Sequence, residues 1–250
     1  MSDNLDFKYE LGVVGLGYVG LPLAVEASLQ DLNVVGYDIN SERVEMINNG
    51  LSPIEDISTE ELSSALKNFH STIDSKELSD CKNVVISVPT PLTDYQPDLS
   101  YVIDAAKTVG KNLVLNQVVI LESTTYPGTT LEVLIPNLEE QSGLIAGKDF
   151  YVGYSPERID PGNKVWKFKN TPKVVSGMNN DSTKKIKEFY ESIIDEIVVV
   201  NGTKEAEMVK LLENTYRHVN IALINELAML CEMLEIDIWE VVNAAKTKPF

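Results

Sequence analysis

The sequence predicts an α/β fold with a doubly wound, mostly parallel sheet, followed by a long α-helix that begins a second, helical domain. Three observations support this prediction. Short β-branched apolar runs alternate with amphipathic stretches through residues 1–202, and a glycine-rich turn follows the first run. From Thr203 to about Leu234, a helical pattern continues without Gly or Pro. We therefore expect one domain over residues 1–202 and the start of another over 203–250.

The predicted elements alternate in chain order. Strands are predicted at 10–16, 33–38, 83–88, 117–123, the first part of 149–158, 173–177 and 196–200. Helices are predicted at 18–30, 41–50, 99–111, 127–141, 181–194, 203–234 and 237–247. The strands are continuous apolar runs rather than alternating ones, which is typical of parallel strands covered on both faces.

Composition excludes several classes of function. The 250 residues are 44% hydrophobic and 24% charged, as in ordinary globular proteins. The net charge of −17 argues against nucleic acid and anionic membrane surfaces as partners. No apolar run is long enough to span a bilayer. Cys81 and Cys231 are too few for a disulfide framework or a zinc cluster, so we expect a cytoplasmic protein without a metal.

A G-x-G-x-x-G turn follows the first predicted strand and precedes the first predicted helix. It comprises Gly15, Leu16, Gly17, Tyr18, Val19 and Gly20. In Rossmann-like domains the first glycine permits the tight turn, the second lets a pyrophosphate approach, and the third allows close packing of helix on strand. The alternative is a plain strand–helix turn. Because the motif lies in the required context, we expect an NAD-binding Rossmann-like domain.

Asp38 lies at the end of the second predicted strand, 18 positions after Gly20. The spacing expected for the carboxylate that binds the adenosine ribose is about 20. A carboxylate there accepts hydrogen bonds from the ribose hydroxyls and repels a 2′-phosphate, so NAD is favoured over NADP. Alternatively, Asp38 caps the strand end. Arg43 either reaches the pyrophosphate or is a solvated helix residue.

Polar residues on the long helix share roughly one face. They are Lys210, Asn214, Arg217 and Asn225. Such a set can hold an oxyanion or a sugar hydroxyl, but the spacing alone favours a solvated face. The loops at 122–128 and 155–158 offer hydroxyls and a carboxylate at strand ends, with simple capping as the alternative. His70 and His218 have no recognisable partner and are interpreted as structural.

These segments together resemble the UDP-glucose/GDP-mannose dehydrogenase family over essentially the whole chain. The resemblance rests on five segments in order: 15–22, 88–91, 122–128, 155–158 with 160–162, and 207–217 running to 225–227. The 155–162 loop and the segment 246–250 resemble the branch that acts on UDP-N-acetylhexosamines. UDP-glucose or another nucleotide sugar stays open as the substrate.

The resemblance implies NAD as cofactor and a UDP-sugar such as UDP-N-acetylglucosamine as substrate. C6 is oxidised by four electrons to the uronic acid, for surface-polysaccharide precursor synthesis: a cysteine captures the aldehyde, a second NAD oxidises the thiohemiacetal, and water hydrolyses the thioester. It also implies a homodimer whose core is the long helix, so that this helix begins a central helical dimerisation domain.

The resemblance also assigns roles to residues. Thr125 would hold the water that relays the C6 proton, Lys210 with Asn214 would stabilise the oxyanion, and Glu157 would act in thioester hydrolysis. The implied NAD site comprises Gly15, Leu16, Gly17, Tyr18, Val19, Gly20, Asp38, Arg43, Val88, Pro89, Thr90, Pro91, Thr124 and Thr125. The implied substrate contacts are Glu157, Arg158, Lys210, Asn214 and Arg217.

The sequence departs from the family in one respect. The nucleophilic cysteine of the family lies in a Gly-Gly-His-Cys segment that residues 1–250 do not contain, and the UDP-binding second Rossmann-like domain is also missing. We interpret Cys81 and Cys231 as small buried residues. We therefore expect an N-terminal fragment that binds NAD but does not make uronic acid.

Two other classes of function stay open at this point. One is a non-catalytic module that binds NAD or pairs with another subunit through the long helix. The other is a 6-phosphogluconate or β-hydroxyacid dehydrogenase, since these enzymes also follow a Rossmann half with a long helix carrying Lys and Asn. The loops at 122–128 and 155–158 argue against the latter.

Overall fold

The structure is a computed structural model, and it describes residues 7–159, 163 and 165–249. The chain divides into two compact units, with residues up to Lys210 in the first and residues from Leu211 in the second. A long helix begins in the first unit and continues into the second. The domain boundary expected between residues 202 and 203 stays a prediction.

The first unit is built on one large sheet. The described strands are β1 (Tyr9–Val14), β2 (Val34–Tyr37), β3 (Phe69–Thr72), β4 (Cys81–Ile86), β5 (Leu92–Thr93), β6 (Gln96–Pro97), β7 (Val118–Leu121), β8 (Tyr151–Tyr154), β9 (Lys173–Gly177) and β10 (Ile197–Val199). The strands β5 and β6 form a separate small hairpin, and the others form the large sheet. Across the large sheet the order is β10-β9-β8-β7-β4-β1-β2-β3. Every neighbouring pair is parallel except β8 and β9. The predicted mostly parallel, doubly wound α/β sheet is therefore confirmed.

The strand order reverses between β1 and β4. From this point β1, β2 and β3 succeed one another in one direction, and β4, β7 and β8 in the other. In open α/β sheets a crevice forms at such a switch point, outside the carboxyl ends of the strands. Val14 is level with Tyr37 on one side and with Ile86 on the other. The segments that follow β1, β2 and β4 therefore start side by side at this edge.

Helices cover both faces of the sheet. They are α1 (Gly20–Leu29), α2 (Ser41–Asn48), α3 (Thr59–Ala65), α4 (Ser100–Asn112), α5 (Ile135–Ser142), α6 (Asn180–Tyr190), α7 (Thr203–Met233) and α8 (Ile238–Ala245). One apolar core includes side chains of α1, α2, α3 and α6, and the other includes side chains of α4 and α5. Asn40, Ser58 and Asn179 cap α2, α3 and α6 through their side chains, as expected for these residue types.

Several elements escaped prediction because they are short. Between residues 51 and 82, where no element was predicted, the structure has α3, β3 and a 3₁₀ turn at Ser75–Asp80. The loop at 89–98 contains the β5–β6 hairpin. The helix predicted from residue 127 starts later, with a π-helical turn at Thr130–Leu134 that leads into α5.

The second unit consists of the remainder of α7 and of α8. The predicted long helix is confirmed, since α7 spans Thr203–Met233. Many large apolar side chains of this unit are exposed, including Leu212, Tyr216, Val219, Leu223, Leu227, Leu230 and Trp239. Among the described residues, no helix combines the length and apolar character that crossing a membrane requires.

Candidate functional site

A cavity of ≈ 850 Å³ lies at the carboxyl edge of the sheet, beside the switch point. Its lining contains most of the predicted NAD-site residues: Gly15, Gly17, Tyr18, Val19, Asp38, Arg43, Val88, Pro89, Thr90, Pro91 and Thr124. Glu157 also lines it. Sequence reasoning missed Tyr101, Asp104 and Thr108 of α4, which form part of the wall and carry no motif.

The three glycines of the turn lie in three different environments. Gly15 has φ +93°, and a Cβ there would come within 2.5 Å of the Ser87 carbonyl oxygen. A Cβ at Gly20 would overlap the Gly15 carbonyl oxygen. A Cβ at Gly17 would meet no atom within 4 Å, so it would project into open space. The turn therefore needs Gly15 and Gly20 for its own packing, whereas Gly17 leaves room for a ligand.

Asp38 is buried and holds the glycine turn in place. Its Oδ2 accepts hydrogen bonds from the Leu16 amide at 2.8 Å and from Arg43 Nη1 at 2.9 Å. Its Oδ1 accepts one from the Asn40 amide at 2.9 Å. The carboxylate thus fixes the turn and the start of α2 together. Arg43 is an ion-pair partner of Asp38 and also lines the cavity.

Polar contacts join the segments that follow β4 and β7 on the opposite wall. Ser123 Oγ accepts a hydrogen bond from the Val88 amide at 3.0 Å and donates one to the Val88 carbonyl oxygen at 2.7 Å. Thr90 Oγ1 donates to the Thr124 carbonyl oxygen at 2.7 Å. Thr125 is buried beside this wall, and its Oγ1 has no hydrogen-bond partner in the described part of the chain.

Two buried carboxylates and one buried ammonium lie at the inner end of the cavity. Glu122 and Glu157 line it, and Lys173 Nζ is 2.6 Å from Glu122 Oε1 and 3.7 Å from Glu157 Oε2. Tyr190 donates its hydroxyl to Glu122 Oε1 at 2.5 Å. We call these four residues the carboxylate cluster. Burial raises the pKa of Glu122, the Glu157 charge adds to this effect, and the Lys173 ammonium opposes it.

Lys173 and Tyr190 were not singled out from the sequence. Lys173 opens the apolar run of β9, and Tyr190 ends α6. A lysine at the first position of a buried strand is the one sequence signal that could have indicated the cluster, because a buried lysine requires a partner of opposite charge. The sequence alone does not identify that partner, since Glu122 and Glu157 are far from Lys173 along the chain.

The segment 157–159 connects the sheet edge to α7. Lys210 Nζ donates a hydrogen bond to the Glu157 carbonyl oxygen, and Glu157 Oε1 accepts one from the Ile159 amide. Arg158 Nη1 donates to the Pro172 carbonyl oxygen at 2.6 Å. The structure thus brings Lys210 to Glu157. Residues 160–162 and 250, parts of the segments that carry the resemblance, lie outside the described residues.

Asn214 and Arg217 belong to the second unit. Asn214 is half-buried, whereas Arg217 is exposed. Their assignment to the substrate site stays a prediction.

Glu207, near the start of α7, is buried and binds the loop after β7. It accepts hydrogen bonds from the Gly128 amide at 2.5 Å, the Thr130 amide at 2.8 Å and Thr130 Oγ1 at 2.7 Å. These donors lie where the π-helical turn begins, so the carboxylate caps the turn from another helix. Glu207 therefore ties the loop that carries Thr124 and Thr125 to the helix that carries Lys210.

The cysteines and histidines lie away from the cavity lining. Cys81 is buried, and burial raises the pKa of its thiol far above the ordinary value. Cys231 is only half-buried, so the interpretation of both cysteines as buried residues is right for Cys81 alone. His70 does have a partner, because its Nε2 lies 2.9 Å from Glu77 Oε2. Within the described residues, no group of three or more His, Cys, Asp or Glu could hold a metal ion.

The strand order, the glycine turn and the carboxylate after β2 define a dinucleotide-binding domain of the dehydrogenase type. Two sequence profiles agree with this class: the NAD binding domain of the UDP-glucose/GDP-mannose dehydrogenase family matches residues 9–194, and its central domain matches residues 204–250. The chain belongs to the UDP-glucose/GDP-mannose dehydrogenase family, and NAD is the cofactor of its first domain.

Individual relatives cover nearly all of the chain. The UDP-N-acetyl-D-glucosamine 6-dehydrogenase of Salmonella typhi is 42% identical over 96% of this chain and 57% of that protein. Protein CapL of Staphylococcus aureus is 42% identical over 95% of this chain and 56% of that protein. The solved structure of a UDP-D-ManNAc dehydrogenase from Pyrococcus horikoshii superimposes with a TM-score of 0.90 and 38% identity, covering 96% of this chain and 58% of that one. The chain thus spans little more than half the length of these relatives.

Proposed function

We propose that this chain is the coenzyme-binding part of an NAD-dependent dehydrogenase that oxidises C6 of a UDP-N-acetylhexosamine to the uronic acid, for surface-polysaccharide precursors. The observation that carries the proposal is a single cavity with the glycine turn and Asp38 at one end and Glu122 and Glu157 at the other. A dinucleotide has adenosine at one end, the reactive nicotinamide ring at the other and the diphosphate between them, so this arrangement suits it.

The residues present fit NAD. The open space beside Gly17 gives a diphosphate access to the backbone at the N-terminal end of α1, where amide groups and the helix dipole attract anions. Asp38 would bind the adenosine ribose with the acceptor capacity that remains beside its three present donors. Val88, Pro89, Thr90, Pro91 and Thr124 would form the facing wall.

The chemistry would take place near Glu157. NAD, when bound, supplies the hydride acceptor. Thr125 would hold the water that takes the proton from the C6 hydroxyl, since its buried Oγ1 has no hydrogen-bond partner within the described chain. Lys210, with Asn214, would stabilise the negative charge that develops on the sugar oxygen. Glu157 would orient or deprotonate the hydrolytic water, and Arg158 and Arg217 would contact the substrate.

We propose UDP-N-acetylglucosamine as the substrate, because the Salmonella typhi relative is named as a dehydrogenase of that sugar nucleotide. UDP-N-acetylmannosamine is a second candidate, because the Pyrococcus horikoshii structure, with its TM-score of 0.90, is of a dehydrogenase for that sugar. The two sugars are epimers.

The proposal includes a homodimer through the long helix and a cytoplasmic location. The exposed apolar side chains of α7 and α8 support the dimer. Both cysteines are free, which suits a reducing compartment.

Calorimetric titration of NAD and NADP tests the coenzyme site. We expect NAD to bind and NADP to bind about tenfold more weakly or worse, because Asp38 opposes a 2′-phosphate. Asp38→Asn should weaken NAD binding and narrow the difference between the coenzymes. Glu42→Gln removes one negative charge from the exposed face of α2 nearby and should leave both affinities unchanged. Equal binding of the coenzymes by the unaltered chain would contradict the assigned role of Asp38.

A further inference from the structure

Lys173 is a buried cation at the start of a sheet strand. It is the first residue of β9, and its side chain is 5% exposed. Its ammonium lies between the two carboxylates of the cluster and 5.2 Å from the centre of the Tyr190 ring. A lysine is seldom buried without partners, so its position depends on these carboxylates.

The charges of the carboxylate cluster do not balance. One ammonium serves two carboxylates, and the Oε2 atoms of Glu122 and Glu157 accept no hydrogen bond in the part of the chain that the structure describes. Glu122 is the more firmly held of the two, since Tyr190 donates to it and Lys173 lies closest to it. Glu157 is held by the Ile159 amide and, at the longer distance, by Lys173.

We propose that Lys173, itself anchored by Glu122, is a positioning residue that fixes the carboxylate of Glu157 at the inner end of the cavity. The chain of contacts runs from the Tyr190 hydroxyl through Glu122 and Lys173 to Glu157, and ends at the Ile159 amide. This inference rests on the proposed function only in the chemical role that it gives to Glu157. A general base is effective only when it is held in one orientation, which is what the contact with Lys173 provides.

The experiment compares two variants that differ only at Lys173. Glu122→Gln leaves the ammonium with Glu157 alone, and its amide oxygen can still accept from Tyr190. Glu122→Gln with Lys173→Met removes one positive and one negative charge, so the net charge of the cluster stays that of the unaltered protein. This balance avoids the large cost of a buried carboxylate pair left without its cation.

The reporter is the backbone amide of Ile159, observed by nuclear magnetic resonance on the 250-residue chain. Loss of Lys173 in the double variant should shift this resonance and speed its hydrogen exchange by about tenfold or more, because Glu157 is then free to leave the amide. In Glu122→Gln the amide should stay protected. The amide of Met178, which donates to the Val152 carbonyl oxygen at 2.9 Å in the same sheet, reports general loosening and should not change in either variant.

A second measurement follows the carboxyl carbon of Glu122. The titratable groups that face it are Glu157, Lys173, Tyr154 and Tyr190. Glu157→Gln should lower the pKa of Glu122, because the neighbouring anion that raises it is gone. An unchanged pKa would show that the two carboxylates are independent, and would overturn the proposed chain of contacts.

Other outcomes also decide the question. If the Ile159 and Met178 amides change together in the double variant, Lys173 has a structural role only and the proposal is wrong. If neither changes, Glu157 does not depend on Lys173 and the proposal is equally wrong. NAD titration of the unaltered chain tests the proposed function separately, because the contact between Lys173 and Glu157 is followed at the Ile159 amide with no coenzyme present.

Discussion

Each glycine of the turn has its own physical requirement. Gly15 has a positive φ and lies against the Ser87 carbonyl oxygen, and Gly20 packs against Gly15. Gly17 borders open space. Two of the positions therefore serve the fold, and one serves the ligand that the cavity would hold.

Alanine substitutions should separate these two roles. Gly17→Ala should leave the melting temperature nearly unchanged and weaken NAD binding about tenfold or more, because its methyl group enters the space of the diphosphate. Gly20→Ala should lower the melting temperature clearly, since its methyl group would overlap the Gly15 carbonyl oxygen. Calorimetry and thermal unfolding measure both effects. A Gly17→Ala protein that binds NAD normally would contradict the proposed position of the diphosphate.

Among the helices, α7 is attached to the loop after β7 by one buried carboxylate. Glu207 accepts three hydrogen bonds from Gly128 and Thr130, and it is completely buried. The loop between β7 and the π-helical turn is thereby fixed relative to Lys210, one turn further along α7.

Glu207→Gln should be destabilising even though it is nearly isosteric. The NH2 group that replaces one carboxylate oxygen in glutamine cannot accept a hydrogen bond, so with Thr130 keeping the remaining oxygen the Gly128 amide would lose its acceptor and face another donor. The expected loss is about 1–3 kcal/mol of unfolding free energy, from denaturant titration. Glu205→Gln, an exposed position in the same turn of α7, is the control and should change stability by less than about 0.5 kcal/mol. Equal effects of the two variants would show that the Glu207 contacts do not stabilise the fold.

At the scale of the whole molecule, the second unit carries a series of exposed apolar side chains. Leu223 and Leu227 are 54% and 39% exposed, and similar side chains surround them on α7. Large exposed apolar patches mark protein interfaces. In the proposed homodimer, a second copy of the chain would cover these apolar side chains.

Sedimentation should therefore give the mass of a dimer at micromolar concentrations. Leu223→Glu together with Leu227→Glu should dissociate it, because burying two new charges at an apolar interface is costly. Leu115→Glu, an equally exposed leucine in the first unit, should leave the dimer intact. A monomer at all concentrations tested, without any substitution, would contradict the proposed dimer.

The features that could be predicted from the sequence are those that depend on residues close together along the chain. The glycine turn, Asp38 and α7 each follow from a local pattern, namely a motif, a spacing and a periodicity. The carboxylate cluster could not be predicted in this way, because Glu122, Glu157 and Lys173 meet only after β7, β8 and β9 have paired. The role of Glu207 was missed for the same reason, since its partners lie more than seventy residues earlier in the chain.

The short elements were missed because they carry too few residues for a period. Only one of the 4 residues of β3, Phe69, is apolar, and each strand of the β5–β6 hairpin has 2 residues, so neither shows an apolar pattern distinct from a loop. The late start of the helix predicted at Pro127 reflects Gly128, whose φ of +109° is incompatible with a right-handed helix.

The reversed direction of β9 determines which end of that strand meets the cavity. Parallel strands bring their final residues to this edge, whereas β9 brings its first residue, Lys173. At Lys173 the backbone pairs with Ile197 of β10, and the pairing with β8 begins further along β9, at Ser176. The Lys173 side chain therefore extends from a sheet strand rather than from a loop. A shift of one residue in the register of β9 would place this side chain on the opposite face of the sheet.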